Sequence, residues 1–351
     1  MYGIQKITLL KDVLILGGVG VGGGSLVYAN TLLEPKDDYY NSEQVKKIDE
    51  NWKEIMKPYY EKAKKMLGVT QNKYFGESDR ILKEIAKEYN REDTFHIVDV
   101  GVYFGEPGKT VKDPYFNGEG PDRTGCTFCG GCMVGCNYGA KNTLDKNYLY
   151  FAEKYGAKII PETKAISIKY ENEKYIIETE KTTSFIKRKQ TFTSKGLVIS
   201  AGVLGTLKLL LTSKSKGFLP NLSNQLGKNV RTNSESLTGT TSLDDIDLSK
   251  GIAITSGFYP NDNTHIEIVR YPKGSDFMSL LSTIIVERGN KITRPLKWLK
   301  NVLKNPLNFI RTLIPFDWAK KSIIFLVMQT IDNKISIKLN RSRISYNRSN
   351  R

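Results

Sequence analysis

The chain has 351 residues, of which 39% are hydrophobic and 26% charged, and this ordinary globular composition excludes wholesale disorder. The net charge is +16, but basic and acidic residues are interleaved up to about residue 270, so no nucleic-acid partner is expected. The first residues lack the blocks of a signal peptide, and the apolar runs 13–16 and 323–328 are far shorter than the roughly 20 residues that cross a bilayer. The sequence therefore predicts a cytoplasmic protein whose membrane contact is at most peripheral.

In chain order, the first expected elements surround a run of glycines. Residues 7–16 are apolar and are expected to be extended, and they lead directly into the run from Gly17 to Gly24. Apolar residues then recur at helical spacing over 43–67 and 79–89, which predicts two helices that contribute to the core. Residues 101–141 are rich in glycine, proline and cysteine, so an irregular loop is expected there.

The next segments predict a sheet of the α/β type. Residues 165–170 and 175–180 alternate as two strands around a short polar turn. Residues 196–202 are expected to form a buried strand that ends in the small residues Ala201 and Gly202 and is followed by a helix. Such an ending is typical of a doubly wound sheet, in which ligands lie at the carboxyl ends of the strands.

From about residue 236 the sequence becomes rich in strand-like segments, and this change predicts a domain boundary. Residues 1–235 are assigned to the α/β domain, with insertions over about 41–141, and residues 341–351 to a basic tail. Residues 236–340 predict a second domain on an antiparallel sheet, so the overall class is α+β. The expected strands of this second domain are 252–258, 264–271, 322–328 and 334–339.

The glycine run is a candidate ligand-binding loop at Gly22, Gly23, Gly24 and Ser25. Glycine has no side chain and tolerates positive φ, so the backbone there can approach a ligand closely. Backbone N–H groups at a helix start suit a pyrophosphate. The run is not a P-loop, and it lacks the acidic ribose partner of a dinucleotide fingerprint. By itself it indicates either a ligand loop or a plain tight turn.

The extension of this run carries a resemblance to a known family. The stretch GVGVGGGSLVYANTLLEPKDDYY, residues 18–40, resembles the second flavin-contacting segment of the glucose–methanol–choline (GMC) oxidoreductases, particularly their cholesterol oxidase branch. Three further blocks agree in order and spacing, namely residues 138–149, the strand around Ala165, and residues 199–206. The resemblance covers roughly residues 7–235. It implies a doubly wound FAD-binding domain, a substrate domain, and oxidation of the CH–OH group of a bulky, steroid-like or lipophilic alcohol.

The resemblance also implies roles for individual positions. Residues 22–25 would line the flavin pyrophosphate and ring, and Asn30 and Thr31 would lie beside the isoalloxazine. Ala165 would offer backbone groups to the adenine. Ala201 and Gly202 would pack against the adenosine.

Two parts of the family pattern are not found in this sequence. A GxGxxG unit is expected before the glycine run, and a catalytic histidine segment is expected near the C-terminus of the family. We therefore expect a partial copy of the enzyme, with a complementary chain that supplies the rest. The histidines present are His96 and His265. His265 is the candidate catalytic base, although its place on a strand favours a structural or pocket-wall role. The alternative function is a non-catalytic, metal-bearing subunit of a redox complex.

The four cysteines predict a metal or cluster site. The spacing Cys126-x2-Cys129-x2-Cys132-x3-Cys136 matches the bacterial ferredoxin run, except that Asn137 replaces the usual proline. An iron–sulfur cluster is favoured, because a cluster beside a flavin gives electrons an exit other than oxygen. Tetrahedral zinc and a metal-free loop are the alternatives.

A basic segment, residues 291–321, interrupts the second domain. It carries eight lysines and arginines and one aspartate, interspersed with aromatic and aliphatic residues. This pattern suits a helix that lies on an anionic membrane surface. The alternative is an amphipathic helix pair that packs on the second domain.

Overall fold

The computed structural model describes residues 3–10, 13–313, 316–340 and 343–348. The α-helices in these ranges are α1 (Asp37–Tyr40), α2 (Glu43–Lys46), α3 (Trp52–Leu67), α4 (Glu77–Glu88), α5 (Tyr148–Lys154), α6 (Gly202–Ser215), α7 (Thr293–Lys304), α8 (Pro306–Leu313) and α9 (Trp318–Lys321). The strands are β1 (Gln5–Leu9), β2 (Leu14–Gly18), β3 (Thr70–Gln71), β4 (His96–Ile97), β5 (Asp99–Val100), β6 (Thr110–Val111), β7 (Arg123–Thr124), β8 (Thr163–Glu171), β9 (Lys174–Lys181), β10 (Lys189–Ser194), β11 (Ser236–Thr241), β12 (Ile254–Asn261), β13 (Thr264–Val269), β14 (Ser322–Gln329), β15 (Ile335–Asn340) and β16 (Arg343–Arg348).

The largest described sheet has five antiparallel strands in the order β11-β14-β13-β12-β4. The predicted antiparallel sheet of the second half is therefore confirmed. Three of its four expected strands belong to this sheet, and the fourth, β15, pairs with β16. The sheet also takes in β4 from the first half, because Ser256 and Gly257 pair with Ile97 and His96.

Helix α4 packs on this sheet and forms part of its core. Leu82 and Ala86 are fully buried on one face of the helix, in contact with a cluster that includes Phe258 and Ile268 of the sheet. The helix begins with a capping box in which the Asp79 carboxylate accepts a hydrogen bond from the Gly76 N–H at 2.8 Å. The helical stripe predicted over 79–89 is confirmed as core at Leu82 but not at Tyr89, which is 58% exposed. The single core helix predicted over 43–67 is wrong, because the segment forms the separate helices α2 and α3 and α3 has no fully buried residue.

The first half contains a three-stranded antiparallel sheet, β10-β9-β8, with helix α6 against it. The predicted hairpin is confirmed as β8 and β9, with Asn172 and Glu173 at positive φ in its turn. The Ser213 hydroxyl of α6 accepts a hydrogen bond from the buried Ile168 N–H at 2.9 Å and donates one to Leu209 O. These bonds fix the helix on the sheet.

The expected doubly wound sheet is not formed by the described residues. Every pair of named strands there is antiparallel. Residues 196–202, predicted to be a buried strand, form no strand, and the Val198 side chain is 88% exposed. A buried strand needs hydrogen-bonded neighbours, and no described strand pairs with this segment. Residues 7–9 and 14–16 likewise lie on the two antiparallel strands of the hairpin β1–β2 and not in one extended segment.

The basic segment forms the helices α7, α8 and α9. No helix of the described residues has the length and apolarity needed to traverse a bilayer. Of the predicted basic tail, residues 341–342 and 349–351 lie outside the described residues. Residues 343–348 pair with β15 as a strand.

Candidate functional site

The glycine run folds back on itself after the β1–β2 hairpin. Gly22 and Gly23 have φ values of 102° and 55°, which only glycine adopts without strain. A Cβ at Gly18 would lie 2.3 Å from the Gly23 carbonyl oxygen, so two backbone segments touch there. A Cβ at Gly24, by contrast, would meet no atom within 4 Å. The run therefore presents open backbone at Gly24, as a ligand-binding loop requires.

The Ser25 side chain ties this loop to the rest of the molecule. Its hydroxyl donates a hydrogen bond to Gly22 O at 2.7 Å and accepts one from the Leu144 N–H at 2.9 Å. The hydroxyl is thus occupied by backbone groups. Ser25 holds the loop in shape, and its expected contact with a flavin stays a prediction.

Asn30 and Thr31 carry buried polar atoms that lack partners. Asn30 is fully buried with φ 76°, and its side-chain amide makes no hydrogen bond of normal geometry, although Cys132 lies near it. The Thr31 hydroxyl is also buried without a partner. The backbone at this point is fixed, because the Gly101 N–H donates to Asn30 O and Thr31 bridges to Val100. Buried polar atoms without partners are rare and are candidate ligand contacts.

Lys141 joins this segment to the cysteine-rich loop, and sequence reasoning assigned it no role. Its side chain is 1% exposed, and its ammonium donates hydrogen bonds to the carbonyl oxygens of Leu26 at 3.1 Å, Tyr28 at 2.7 Å and Cys132 at 2.8 Å. Burial lowers the pKa of Lys141 to about 8. A lysine inside a glycine- and cysteine-rich loop was the available signal.

The four cysteines line one small cavity, together with Lys141. Cys126 and Cys132 are buried, and burial raises the pKa of Cys126 to about 12, which favours its neutral thiol. Burial favours a higher pKa for Cys136, but hydrogen bonds from the backbone N–H groups of residues 138–141 outweigh it and lower the pKa below its ordinary value.

The structure does not support the predicted metal or cluster at Cys126, Cys129, Cys132 and Cys136. The cavity is about 20 Å³, which is room for a single water and less than an iron–sulfur cluster occupies. Within the described ranges, no three His, Cys, Asp or Glu side chains are grouped to hold a metal ion. The iron–sulfur and zinc hypotheses are therefore unsupported, and the alternative of a metal-bearing subunit loses its basis.

Ala165, Ala201 and Gly202 lie in the second part of the candidate site. Ala165 is exposed on β8 beside a β-bulge, where pairing with β9 skips Ile166. Gly202, at φ 65°, begins α6 and lines an open cleft of about 530 Å³ with Arg231. Leucines of α6 pack in one cluster with Ile15 of β2, so α6 and the strand that leads to the glycine run share a core.

His265 lies apart from these groups, on β13. Its ring stacks on Tyr259 at 4.3 Å between centroids and on His96 at 5.2 Å. The Nε2 atoms of the two histidines are 3.3 Å apart. His96 Nδ1 faces the Thr94 carbonyl at 3.0 Å and must carry its proton in the neutral ring, so His265 Nε2–H donates to His96 Nε2. Burial, with His96 and Lys36 nearby, lowers the pKa of His265 to about 3, which makes it a poor base at neutral pH.

Glu267 is a second buried ionisable group on β13 that sequence reasoning missed. It is 2% exposed, and its Oε1 atom has no hydrogen-bond partner. Burial, with Glu235 nearby, raises the pKa of Glu267 to about 7. The signal in the sequence was a glutamate two positions after His265 on a strand, which places both side chains on one face.

The family model for GMC oxidoreductases matches residues 120–233, which include the cysteine-rich loop, the bulge beside Ala165 and the start of α6. The similarity to GMC oxidoreductases extends beyond these residues to nearly the whole chain in two relatives. It is similar to two curated cholesterol oxidases. One, from Mycobacterium tuberculosis, is 45% identical over 98% of this chain and 62% of its own length. The other, from Acinetobacter baumannii, is 44% identical over 97% of this chain and 64% of its own length. The chain thus spans about three fifths of the length of these relatives.

Proposed function

We propose that this chain provides flavin-contacting and substrate-facing parts of an FAD-dependent oxidoreductase that converts the CH–OH group of a bulky, steroid-like alcohol to a carbonyl. The observation that carries the proposal is the 45% identity to a cholesterol oxidase over 98% of the chain. It extends across both the candidate ligand loop and the five-stranded sheet. FAD, when bound, supplies the acceptor for the hydride that leaves the alcohol carbon.

The residues present fit an FAD molecule. The open backbone at Gly24 suits the pyrophosphate, because no side chain or neighbouring atom blocks approach there. The unpartnered amide of Asn30 and hydroxyl of Thr31 suit the polar edge of the isoalloxazine. The bulge beside Ala165 and the cleft at Gly202 suit the adenosine.

In this proposal the side chains described above hold the loop in position and do not react themselves. Lys141 and Ser25 hold the loop at a fixed geometry through backbone hydrogen bonds. Removal of the hydroxyl proton needs a base whose pKa lies near neutrality. The depressed pKa of His265 argues against that role.

Flavin binding tests the proposal directly. Purified protein incubated with FAD is expected to show absorbance bands at about 370 and 450 nm after gel filtration. Failure of the protein to retain flavin in excess FAD would reject the function.

A matched pair of glycine variants localises the site. Gly24→Val adds a side chain into open space at ordinary φ, so folding is expected to be retained while flavin affinity falls at least about tenfold, or about 1.4 kcal/mol. Gly196→Val is the control, because its added Cβ also meets no atom within 4 Å and the position lies outside the candidate contacts. Equal flavin content in the two variants would contradict the assignment of the loop.

A further inference from the structure

The surface of α7 and α8 exposes an unusual amount of apolar side chain. Between residues 277 and 316, eleven large hydrophobic side chains of the described part are each at least 47% exposed. Five of them, which we call the apolar face, are Leu296, Leu299 and Leu303 of α7 with Leu307 and Ile310 of α8. Several large apolar side chains exposed on neighbouring turns are typical of an interaction site.

Internal packing explains why these side chains point outward. The Trp298 indole N–H donates to Thr283 Oγ1 at 2.8 Å, and its ring packs edge-on against Phe309 at 5.4 Å. The side of α7 that carries Trp298 therefore packs against α8 and against the loop that precedes α7. Leu296, Leu299 and Leu303 follow at a spacing of three and four residues, which places them together on another side of the helix.

Basic residues flank the apolar face. From residue 287 to residue 311 the chain has seven lysines and arginines and one glutamate. That glutamate, Glu287, already forms an ion pair with Lys297 at 3.1 Å. Lys300 and Lys304 are exposed beside the leucines of α7 and have no ion-pair partner in the described part of the chain. The surface therefore combines an apolar strip with net positive charge.

We propose that α7 and α8 form a docking surface for an anionic phospholipid membrane, with the apolar face among the lipid chains near the headgroups and the lysines on the phosphates. Each basic residue near such a surface strengthens binding roughly fivefold, and this effect adds to burial of the apolar face. A second copy of the chain fits less well, because two equally positive surfaces would meet. A nucleic acid would neutralise the lysines but leave the apolar face in water.

Sedimentation of the whole chain with lipid vesicles tests this proposal independently of flavin and activity. Vesicles of phosphatidylcholine with phosphatidylglycerol are expected to bind the protein, and binding is expected to weaken as salt rises. Pure phosphatidylcholine vesicles are expected to bind at least about tenfold less tightly. Absence of binding to both compositions would overturn the proposal.

Two variants assign the binding to this surface. Leu299→Glu with Leu303→Glu is expected to reduce vesicle binding at least about tenfold, and Lys300→Gln with Lys304→Gln to reduce it about 25-fold. The control is Ile48→Glu with Ile55→Glu, which makes the same charge change at exposed positions near and on α3. Unchanged binding by the α7 variants, or an equal loss in the control, would overturn the proposal. So would a dimer in light scattering that Leu299→Glu with Leu303→Glu dissociates while vesicle binding stays absent.

Discussion

The Nζ atom of Lys141 lies 2.7 Å from the carbonyl oxygen of Tyr28, and this hydrogen bond joins the cysteine-rich loop to the segment that follows the glycine run. The same ammonium lies 4.5 Å from the centre of the Tyr28 ring. The buried Lys141 ammonium thus connects two segments of the chain that lie 113 positions apart. The conformation of the candidate flavin loop therefore depends on a lysine that itself need not touch a ligand.

Lys141→Met is expected to destabilise the fold by about 2–4 kcal/mol. Methionine fills similar space but leaves the carbonyl groups of Leu26, Tyr28 and Cys132 without their donor, and each buried unsatisfied group costs about 1–3 kcal/mol. The loss of a buried charge offsets part of this cost. Urea unfolding measures the change. The control Lys154→Met removes an exposed ion pair with Glu119 and is expected to change stability by under about 1 kcal/mol; similar values for both variants would contradict the role of Lys141.

His265→Phe is expected to remove a stability loss at acid pH. The pKa of His265 is about 3 in the fold, below its ordinary value of 6.5, so the unfolded chain takes up the proton first. The wild type therefore loses stability through this group as pH falls from about 6.5 toward 3. Phenylalanine keeps the stack on Tyr259 but does not titrate. The difference in unfolding free energy between the two proteins should change by several kcal/mol across this window; a difference that is constant with pH would refute the buried neutral state.

The gain in stability from Glu267→Gln is expected to grow as pH rises, whereas the gain from His265→Phe grows as pH falls. The pKa of Glu267 is raised to about 7, so the folded state holds its proton more tightly than the unfolded state. The wild type therefore loses stability through this group as pH rises from about 4.5 through 7, by on the order of 3 kcal/mol. Glutamine removes that loss, and the variant should be the more stable protein at pH 8. Thermal unfolding at pH 5 and pH 8 measures the effect, with the exposed Glu171→Gln as control.

Local patterns in the sequence were sufficient where neighbouring segments pair with each other. The hairpin β8–β9 follows from two alternating strands and a turn at Asn172 and Glu173, so every partner lies within a few residues. Three of the five strands of the large sheet, β12, β13 and β14, were likewise predicted from their apolar composition, whereas β4 and β11 were not. The segment 196–202 has the same composition, but a strand forms only where another strand pairs with it, and the pattern of one segment does not contain its partner.

The candidate site could be predicted from the sequence only in part, for a similar reason. The glycine run and its family resemblance predict flavin contacts at residues 22–25, because backbone access depends on glycine itself, and this assignment stays a prediction. The cysteine spacing suggested a metal, whereas the loop folds so that the thiols enclose about 20 Å³ without a group of three ligands among the described residues. The role of Lys141 depends on carbonyl groups more than 100 positions away, at Leu26 and Tyr28, which no local pattern specifies.

The buried pair of Arg270 and Asp79 gives a further test, of how α4 is held on the sheet. The Asp79 carboxylate accepts hydrogen bonds from Thr255 and Ser256 at 2.5 Å each and lies 4.0 Å from the Arg270 guanidinium. Arg270 in turn donates to Thr255 Oγ1 at 3.1 Å. Both side chains are at most 1% exposed. Removal of one member therefore leaves the other as an uncompensated charge in the core.

Arg270→Met is expected to cost about 3–5 kcal/mol, because it leaves the Asp79 carboxylate buried without its cation. The double variant Asp79→Asn with Arg270→Met removes both charges and is expected to recover part of that loss, since the amide can still bond Thr255 and Ser256. Arg80→Met, which breaks the exposed pair with Glu77 on the same helix, is expected to cost under about 1 kcal/mol. Urea unfolding of the three variants measures these differences. If the double variant is no more stable than Arg270→Met, the loss comes from packing of the arginine side chain and not from an unpaired charge.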